Sequence, residues 1–378
     1  MRKVFIAQTS VVTSLGNDLD SNFQGLLNKK SGIKKIDRFN TKNYRQDYAG
    51  LIKDIETPCD RSLFLNLTDL ILDQFSKISE DCFIITATTK GCIDLFEKEE
   101  NNISPVNNLL LPSNIPDYVA KVLNFNLNKR GMNISSACAS STIAIIKGAQ
   151  MIMNKRADSV LIFCADIISE FVFAGFSALN AMSDSPVKPF DINRNGLNLG
   201  EGGAALLLVG DDIAKKNYGF CDTSIAGFGI ASDASHITAP ARDGHGLILA
   251  INNALKTSDL KPADIGAINT HGTGTVYNDA MEIKALQYFF NHINIPANSV
   301  KGSIGHTLGG AGGIEAALAT IMLKEQVLPG TFGFINPEKG CEDFISSDAV
   351  PLSKKYLLSI NSGFGGTNAA LILKREDL

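Results

Sequence analysis

The chain of 378 residues has no tryptophan and no C-x-x-C pair, and its seven cysteines are scattered and odd in number. This spacing predicts neither a disulfide framework nor a zinc site. The five histidines also lack the spacing of metal ligands, so no metal is expected. A reducing cytoplasm is the compartment that this use of cysteine favours.

Long apolar runs and an excess of positive charge are lacking as well. No apolar stretch approaches the roughly 20 residues that span a bilayer, so no membrane span is predicted. The net charge of −4 argues against a general nucleic-acid binder. The N-terminal run VFIAQTSVV is short and β-branched and has no cleavage-type end, so it predicts a first strand rather than a signal peptide.

Apolar strand-like runs alternate with helix-like segments along the chain, which is typical of an α/β fold. The predicted strands are Val4–Thr9, Cys82–Thr86, Val160–Cys164, Ala204–Val209, Ile265–Asn269 and Ala369–Leu373. The predicted helices are Leu63–Ile78, Ser141–Asn154, Gly244–Leu255, Asp279–Phe290 and Ile314–Glu325. We expect surface loops at Thr41–Cys59 and Asn101–Pro116.

The two halves of the chain repeat one order of elements. Each begins with a strand and a Gly- and Ser-rich turn, and each continues with a strand that ends in a Thr/Gly loop. A strand leading into a small-residue helix follows, and a last strand closes the half. An internal duplication is therefore predicted, with halves at residues 1–215 and 216–378 whose helix-bearing loops converge where they join.

Cys138 is the most informative residue, because NISSACASSTIAIIKGAQMI joins a short β-like run (Met132 to Ser135) to a helix of small residues. A cysteine at a helix N-terminus is exposed to free N–H groups and the helix dipole, which favour the thiolate, so we expect a lowered pKa. The small neighbours leave room for a substrate. The motif alone leaves open a buried, inert cysteine.

Two histidines lie in glycine-flanked loops that follow strands. His271 is in NTHGTGT, and His306 is in VKGSIGHTLGGAGG, five residues after Lys301. Glycine lets a backbone turn sharply and approach a ligand. A lone loop histidine is more often structural, but two in matching loops indicate a shared site. The other histidines lack such settings and are interpreted as ordinary: His236, His245 and His292.

A third glycine cluster, NSGFGGTNAALIL, precedes the last predicted strand. Its glycines can present backbone N–H groups around Phe364. The N–H groups of Phe364 and Cys138 are therefore candidate donors to an oxyanion. A tight turn that enters an edge strand is the alternative.

Five segments in order resemble the motifs of one family: SSACASS, PFDINRNGLNLGEGGAALLL, THGTGTVYND, VKGSIGHTLGGAGGIEAA and NSGFGGTNA. The family is the β-ketoacyl-[acyl-carrier-protein] synthases of the elongating (Cys-His-His) type, in the thiolase-like condensing-enzyme superfamily. The resemblance covers nearly the whole chain. It implies a thiolase-like α/β fold, in which duplicated βαβαβαββ halves form an αβαβα layered sandwich.

The resemblance also implies an acyltransferase, a 3-oxoacyl-[acyl-carrier-protein] synthase. Such an enzyme condenses an acyl group on Cys138 with malonyl-[acyl carrier protein], with loss of carbon dioxide, to give β-ketoacyl-[acyl carrier protein]. His271 and His306 would polarise the malonyl thioester carbonyl and hold the enolate oxygen. On this assignment Cys138→Ala abolishes acyl transfer, whereas His306→Ala spares acylation and damages condensation.

Supporting roles follow from the same resemblance. Lys301 would hold the charge balance of the site together with Glu315. Thr273 and Thr275 would hydrogen-bond the phosphopantetheine arm, and Phe364 would gate the pocket between the two half-reactions.

Other members of the superfamily differ at these positions. Thiolases need a second cysteine in the C-terminal glycine loop, where this chain has Phe364, and Cys341 lies outside that loop. Initiating synthases use asparagine where this chain has His306. A non-catalytic chain-length partner subunit of a heterodimeric ketosynthase remains the alternative function, although such subunits lack the nucleophile that Cys138 provides.

The resemblance implies an acyl carrier protein as partner, a homodimer or a heterodimer with a ketosynthase-like paralogue, and no cofactor beyond the carrier's phosphopantetheine. The chain is shorter than typical elongating synthases, and the segment between Phe173 and Asp191 looks trimmed. Ser362 stands where the family often has phenylalanine, which would alter gating. Compact variants of this kind resemble synthases of specialised polyketide and aryl-polyene pathways, which we favour over fatty-acid elongation. The acyl chain, saturated or polyunsaturated, stays open.

Overall fold

The computed structural model describes residues 2–53, 55, 61–76, 78–98, 108–125, 131–291 and 293–377. The strands are β1 (Val4–Thr13), β2 (Ile33–Lys35), β3 (Tyr48–Gly50), β4 (Phe83–Ala87), β5 (Gly131–Ile134), β6 (Ser159–Asp166), β7 (Leu199–Gly200), β8 (Gly202–Gly210), β9 (Thr223–Ser232), β10 (Ile265–Asn269), β11 (Ala297–Asn298), β12 (Val327–Leu328), β13 (Val350–Pro351), β14 (Tyr356–Gly363) and β15 (Thr367–Arg375). The α-helices are α1 (Leu19–Leu27), α2 (Leu63–Leu72), α3 (Asp94–Lys98), α4 (Ile115–Val122), α5 (Ser140–Met153), α6 (Glu170–Ala178), α7 (Asp211–Ile213), α8 (His245–Ser258), α9 (Val276–Phe290), α10 (Lys301–Ile304) and α11 (Ala311–Glu325).

One continuous mixed sheet runs through the described part of the chain in the order β11-β10-β14-β15-β9-β1-β8-β6-β4-β5. When the strands of this sheet are numbered within each half, both halves have the order third, second, fourth, fifth, first. The two first strands join the halves, because β1 pairs antiparallel with β9, Val4–Ile6 against Thr223–Ile225. We propose that the halves divide at residues 215 and 216, in the π-helical turn Ala214–Tyr218.

Helices cover the sheet in layers, because successive strand residues face opposite sides. In β6, Ile162 packs into the core that contains α5 and α11, whereas Phe163 packs against α2 and α4. Ile268 and Ile360 of the second half pack against α8 and α9. Helices α5 and α11 therefore form the middle layer, and the predicted duplicated, layered α/β fold is confirmed. Each fully buried Val, Leu, Ile or Phe side chain stabilises such a core by roughly 1.5–3 kcal/mol.

All six predicted strands and all five predicted helices are present, and all but β10 are shifted at one or both ends. The largest error is the predicted helix Leu63–Ile78, which ends at Leu72. The polar pair Asp73 and Gln74 interrupts the apolar period there, and the N–H of Phe75 turns back to the carbonyl oxygen of Leu72. The helix therefore ends at Leu72.

The two predicted surface loops are partly wrong. Thr41–Cys59 contains β3, which pairs with β2 and β7, and a Cβ atom at Gly50 would lie 2.2 Å from the carbonyl oxygen of Ile304. Within Asn101–Pro116, helix α4 begins at Ile115, because proline in the first turn needs no N–H partner. Residues 54, 56–60 (with Cys59) and 101–107 lie outside the described residues.

Six cysteines lie in the described ranges, and all six are buried and free: Cys82, Cys92, Cys138, Cys164, Cys221 and Cys341. Within the same ranges, no helix combines the length and the apolar character needed to cross a bilayer.

Candidate active site

Cys138 lies in the turn between β5 and α5, two residues before the helix begins at Ser140. The turn is sharp, because Ala137 has φ of 47°, a left-handed conformation that residues other than glycine rarely adopt. The side chain of Ser140 stabilises the turn. Its Oγ accepts a hydrogen bond from the N–H of Ser136 at 2.8 Å and donates one to the carbonyl oxygen of Ala137 at 2.6 Å. The strained turn directs the thiol into a cavity of ≈ 360 Å³.

His271 and His306 line the same cavity. His306 Nε2 lies 3.0 Å from Cys138 Sγ, and the two imidazole rings meet edge to face with centroids 5.2 Å apart. Glu282 of α9 fixes the first histidine loop by accepting from the N–H groups of His271 and Gly272, both at 2.7 Å. The structure therefore brings together the three residues that the sequence predicted for the chemistry.

A buried ion pair lies behind the two histidines. Lys301 Nζ donates to Glu315 Oε1, and both side chains are buried, with relative exposures of 2% and 1%. The other oxygen, Oε2, accepts from Asn361 Nδ2 at 2.7 Å. The predicted pairing of Lys301 with Glu315 is thus present, and Asn361 is added to it.

The protonation states differ from the expectation at Cys138. Burial raises the pKa of its thiol to about 11, although the charges of Lys90 and Lys301 act in the opposite direction. The lowered pKa expected from a helix N-terminus is therefore wrong for the resting site, because α5 begins two residues later and burial outweighs it. Burial, followed by the charge of Lys301, holds the pKa of His271 and of His306 well below its usual range. A neutral thiol thus faces two neutral imidazoles.

The Phe364 loop closes the cavity beside the cysteine. The backbone N–H of Phe364 lies near enough to Cys138 to act against the rise in the pKa of its thiol. A Cβ atom at Gly363 would lie 3.2 Å from the backbone nitrogen of Cys138, so glycine permits this close approach. The Phe364 ring stacks on Phe176 of α6, with centroids 6.0 Å apart. Both amides that the sequence suggested for an oxyanion therefore lie next to the thiol.

Ser362, which stands where phenylalanine was expected, connects the Phe364 loop to neighbouring polar side chains through hydrogen bonds. Its Oγ donates to Asn368 Oδ1 at 2.7 Å, and Asn368 Nδ2 donates to Asp233 Oδ1 at 2.8 Å. Asp233 also accepts from the N–H of Ala241 at 2.9 Å. The hydroxyl thus takes part in a polar network that a phenylalanine could not join.

Thr273 and Thr275 lie on the cavity wall at the start of α9, and their hydroxyl oxygens are 2.9 Å apart. Each hydroxyl can exchange this mutual bond for one to a ligand. The other described histidines are engaged elsewhere: His245 with Asp243, and His236 with the N–H groups of its own loop. His292 lies outside the described residues.

The described residues do not support two alternative kinds of site, a metal centre and a thiolase-type pair of cysteines. No group of three His, Cys, Asp or Glu side chains in them is arranged to hold a metal ion. Cys341 does not line the cavity, and its thiol donates to the carbonyl oxygen of Glu338 at 2.9 Å. Among the described residues, the second cysteine that a thiolase would need therefore has no counterpart near Cys138.

Three contributors to the site were missed in the sequence: Asn361, Glu282 and Phe176. Glu282 carried a usable signal, because an acidic residue on the buried face of a predicted helix needs a partner. Asn361 and Phe176 carried none, since their contacts are to residues distant in the chain.

Two family models match this chain, the β-ketoacyl synthase N-terminal domain over residues 83–212 and the C-terminal domain over residues 223–334. A 3-oxoacyl-[acyl-carrier-protein] synthase 2 from Vibrio harveyi is 30% identical, covering 99% of this chain and 99% of the relative. The protein of the same name from Synechocystis sp. is 29% identical, covering 99% and 98%. The Vibrio alignment extends over 412 positions, so that relative carries segments that this chain of 378 residues lacks.

Solved structures are similar to this chain over its full or nearly full length. The ishigamide ketosynthase/chain length factor has a TM-score of 0.90 at 25% identity, covering 100% of both chains. A β-ketoacyl synthase from Burkholderia phymatum has a TM-score of 0.87 at 25% identity, with the same coverage. A ketosynthase in complex with its chain length factor from Xenorhabdus doucetiae has a TM-score of 0.80 at 26% identity, covering 99% and 98%. The predicted thiolase-like fold is confirmed by these likenesses.

Proposed function

The chain belongs to the β-ketoacyl synthase family of acyltransferases, and we propose that it condenses an acyl group held on Cys138 with malonyl-[acyl carrier protein]. The product is β-ketoacyl-[acyl carrier protein], and carbon dioxide is lost. One observation carries this proposal: His306 Nε2 lies 3.0 Å from Cys138 Sγ, with His271 beside it in the same buried cavity. A subunit that only sets chain length has no use for this constellation.

The first half-reaction moves the acyl group from the carrier to Cys138. The thiol gives its proton to His306 Nε2 as the sulfur attacks the thioester carbonyl. The N–H groups of Cys138 and Phe364 stabilise the tetrahedral oxyanion. When the intermediate collapses, the phosphopantetheine sulfur leaves and takes the proton from His306.

The second half-reaction forms the carbon–carbon bond. His271 donates a hydrogen bond to the malonyl thioester carbonyl, with His306 beside it, as the bond to the carboxylate breaks, its electron pair forms an enolate and carbon dioxide leaves. The enolate carbon attacks the acyl carbonyl on Cys138, the sulfur departs as a thiolate, and the thiolate takes up a proton from solvent. The neutral imidazoles found here suit this step, because neutral rings can offer an N–H without adding a second positive charge beside Lys301.

Lys301 and Glu315 form a buried ion pair next to the two histidines. The ammonium lies close enough to lower the pKa of His271 and His306, and Glu315 compensates for the cost of burying it. Burial first, and the charge of Lys301 second, thus favour the neutral form of both imidazoles.

The carrier protein delivers its phosphopantetheine arm through the cavity, where Thr273 and Thr275 hydrogen-bond the arm. Phe364, stacked on Phe176, gates the pocket between the half-reactions. The reaction as proposed draws on that arm and on no other cofactor. The absence of a disulfide-type cysteine pattern supports a cytoplasmic location.

We propose a homodimer, or a heterodimer with a ketosynthase-like paralogue, that forms across β5. This strand ends the described sheet, pairs with β4 on one side only, and leads into the Cys138 turn. Unpaired strand edges are natural sites for pairing with a second chain. The Xenorhabdus ketosynthase in complex with its chain length factor supports the heterodimeric form.

We place the activity in a specialised polyketide or aryl-polyene-type pathway ahead of fatty-acid elongation. The short chain and the likeness to the ishigamide ketosynthase support the first pathway. The relatives named 3-oxoacyl-[acyl-carrier-protein] synthase 2 support the second.

The deciding experiment is the intact mass of the protein after incubation with carrier proteins that bear different acyl chains, followed by malonyl-[acyl carrier protein]. We expect a gain of one acyl group that Cys138→Ala abolishes and Cys341→Ala, a buried cysteine outside the cavity, preserves. The chain that loads best identifies the pathway. No gain with any chain, while a co-purified paralogue does load, would replace this proposal with the chain-length subunit.

A further inference from the structure

Asn361 connects His271 to the buried ion pair. It lies on β14 with no exposed surface. Its Nδ2 is 2.7 Å from Glu315 Oε2 and 3.4 Å from His271 Nδ1, and its Oδ1 accepts from the Thr142 hydroxyl at 2.5 Å. The amide is therefore the direct link between one catalytic imidazole and the Lys301–Glu315 pair.

The orientation of this amide is fixed by its neighbours. A carboxylate oxygen only accepts hydrogen bonds, so the amide edge that faces Glu315 must be the NH₂ group. The opposite edge, Oδ1, is satisfied by the Thr142 hydroxyl. Gly312 makes room for the arrangement, because a Cβ atom there would lie 2.6 Å from Asn361 Oδ1 and 1.9 Å from Thr142 Oγ1.

A fixed amide dictates where the imidazole proton lies. His271 Nδ1 faces an N–H donor, so this nitrogen is the acceptor and the ring proton resides on Nε2. The two histidines then differ. His306 Nδ1 has no partner in the described ranges, and its Nε2 faces Cys138 Sγ, so it is free to accept a proton there.

We propose that Asn361 is a positioning residue that holds His271 in the Nε2–H tautomer and makes it the hydrogen-bond donor to the enolate oxygen. His306 is then the base for the Cys138 thiol. This division of roles rests on the condensation proposed above. Asn361 touches no reacting atom and acts through the tautomer of His271.

Two substitutions separate positioning from packing. Asn361→Asp is isosteric, but its oxygen shares a proton with Glu315 and presents an acceptor to Nδ1, which favours the Nδ1–H tautomer. Asn361→Leu offers neither donor nor acceptor and leaves both tautomers populated. Ser359→Ala is the control on the same strand, because the buried Ser359 hydroxyl has no hydrogen-bond partner in the described ranges.

The test combines histidine ¹⁵N NMR with the two half-reactions. In the wild type we expect His271, assigned by its loss in His271→Gln, to give the Nε2–H pattern. In Asn361→Asp we expect the reverse pattern, and a fall in malonyl decarboxylation by about 10²–10⁴-fold while acyl loading of Cys138 persists. Asn361→Leu should give a mixed pattern and a smaller fall, and Ser359→Ala should match the wild type.

An unchanged Nε2–H pattern in Asn361→Asp, or equal losses in loading and decarboxylation, would overturn the inference. The NMR readout does not depend on turnover. A wild-type chain that neither loads nor decarboxylates would therefore refute the proposed function while the tautomer assignment is still decided by the spectra.

Discussion

His306 Nε2 lies 3.0 Å from Cys138 Sγ in a site where burial keeps both groups uncharged. Because the thiol has a pKa of about 11, thiolate is scarce in the resting protein at neutral pH. Attack by sulfur must then be coupled to proton transfer onto the imidazole. We therefore propose that His306 also serves acyl loading, whereas the sequence suggested a role in condensation alone.

The first prediction is that His306→Ala slows acyl loading of Cys138 as well as condensation. Removing a positioned general base costs about 10²–10⁴-fold in rate, and the buried thiol has no other imidazole within hydrogen-bond distance in the described residues. Stopped-flow loading followed by intact mass measures the effect. His271→Ala is the matched control and should load normally but lose decarboxylation. Normal loading by His306→Ala would restore the assignment made from the sequence.

The second prediction concerns the buried pair Lys301 and Glu315. Lys301→Met leaves the Glu315 carboxylate buried without its cation, which destabilises the fold by about 3–5 kcal/mol. It also removes a charge that lowers the pKa of both histidines, so the acid limb of the decarboxylation profile should move to higher pH. Urea unfolding and a pH–rate profile report the two effects separately.

The double variant Lys301→Met/Glu315→Leu is the control for this pair. Replacing a whole buried ion pair by apolar groups is often neutral, so stability should largely return. The shifted pH profile should remain, because the charge is still missing. Return of the wild-type profile with stability would show that Lys301 acts only through the fold.

The residues that meet in the candidate site could be predicted, because short local motifs contain them. Cys138, His271 and His306 each lie in a segment of glycine or other small residues. Such residues in the sequence indicate a sharp turn or a close approach of the backbone. Their protonation states could not be predicted, because burial decides them and depends on the whole surrounding layer. The contribution of Asn361 to the site could not be predicted from the sequence for a similar reason. Its partners Thr142 and Glu315 lie on helices of opposite halves of the chain.

The fold was predictable to the extent that elements were long and periodic. Strand β10 matches its prediction at both ends, and α5 differs by one residue at each end. Strand β3 was missed, because three residues carry no period and the glycine at Gly50 is required by the close approach of the neighbouring α10. Tertiary packing supplied that information.

The third prediction tests the oxyanion amides. In Gly363→Ala the new methyl group would lie 3.2 Å from the backbone nitrogens of Cys138 and Ala139, which displaces the Phe364 loop. Losing one oxyanion donor costs about 10²–10³-fold in rate, and we expect this loss in loading and condensation alike. Gly175→Ala on α6 is the control, since nothing lies within 4 Å of the added methyl group. A loss confined to condensation would argue against the oxyanion role.

The last prediction is a pH dependence of stability. The pKa values of His271 and His306 are held well below that of an unfolded histidine, so the unfolded chain binds more protons as the pH falls below about 6.5. The free energy of unfolding should therefore fall with pH, by up to about 1.4 kcal/mol per pH unit for each histidine. Urea unfolding between about pH 7 and about pH 5 measures the slope, which should flatten in His271→Gln/His306→Gln. His245→Asn should not flatten it, because Asp243 raises the pKa of His245 and gives it a contribution of opposite sign, lost as the pH rises. Equal slopes in the wild type and the double variant would show that the two imidazoles titrate normally in the folded protein.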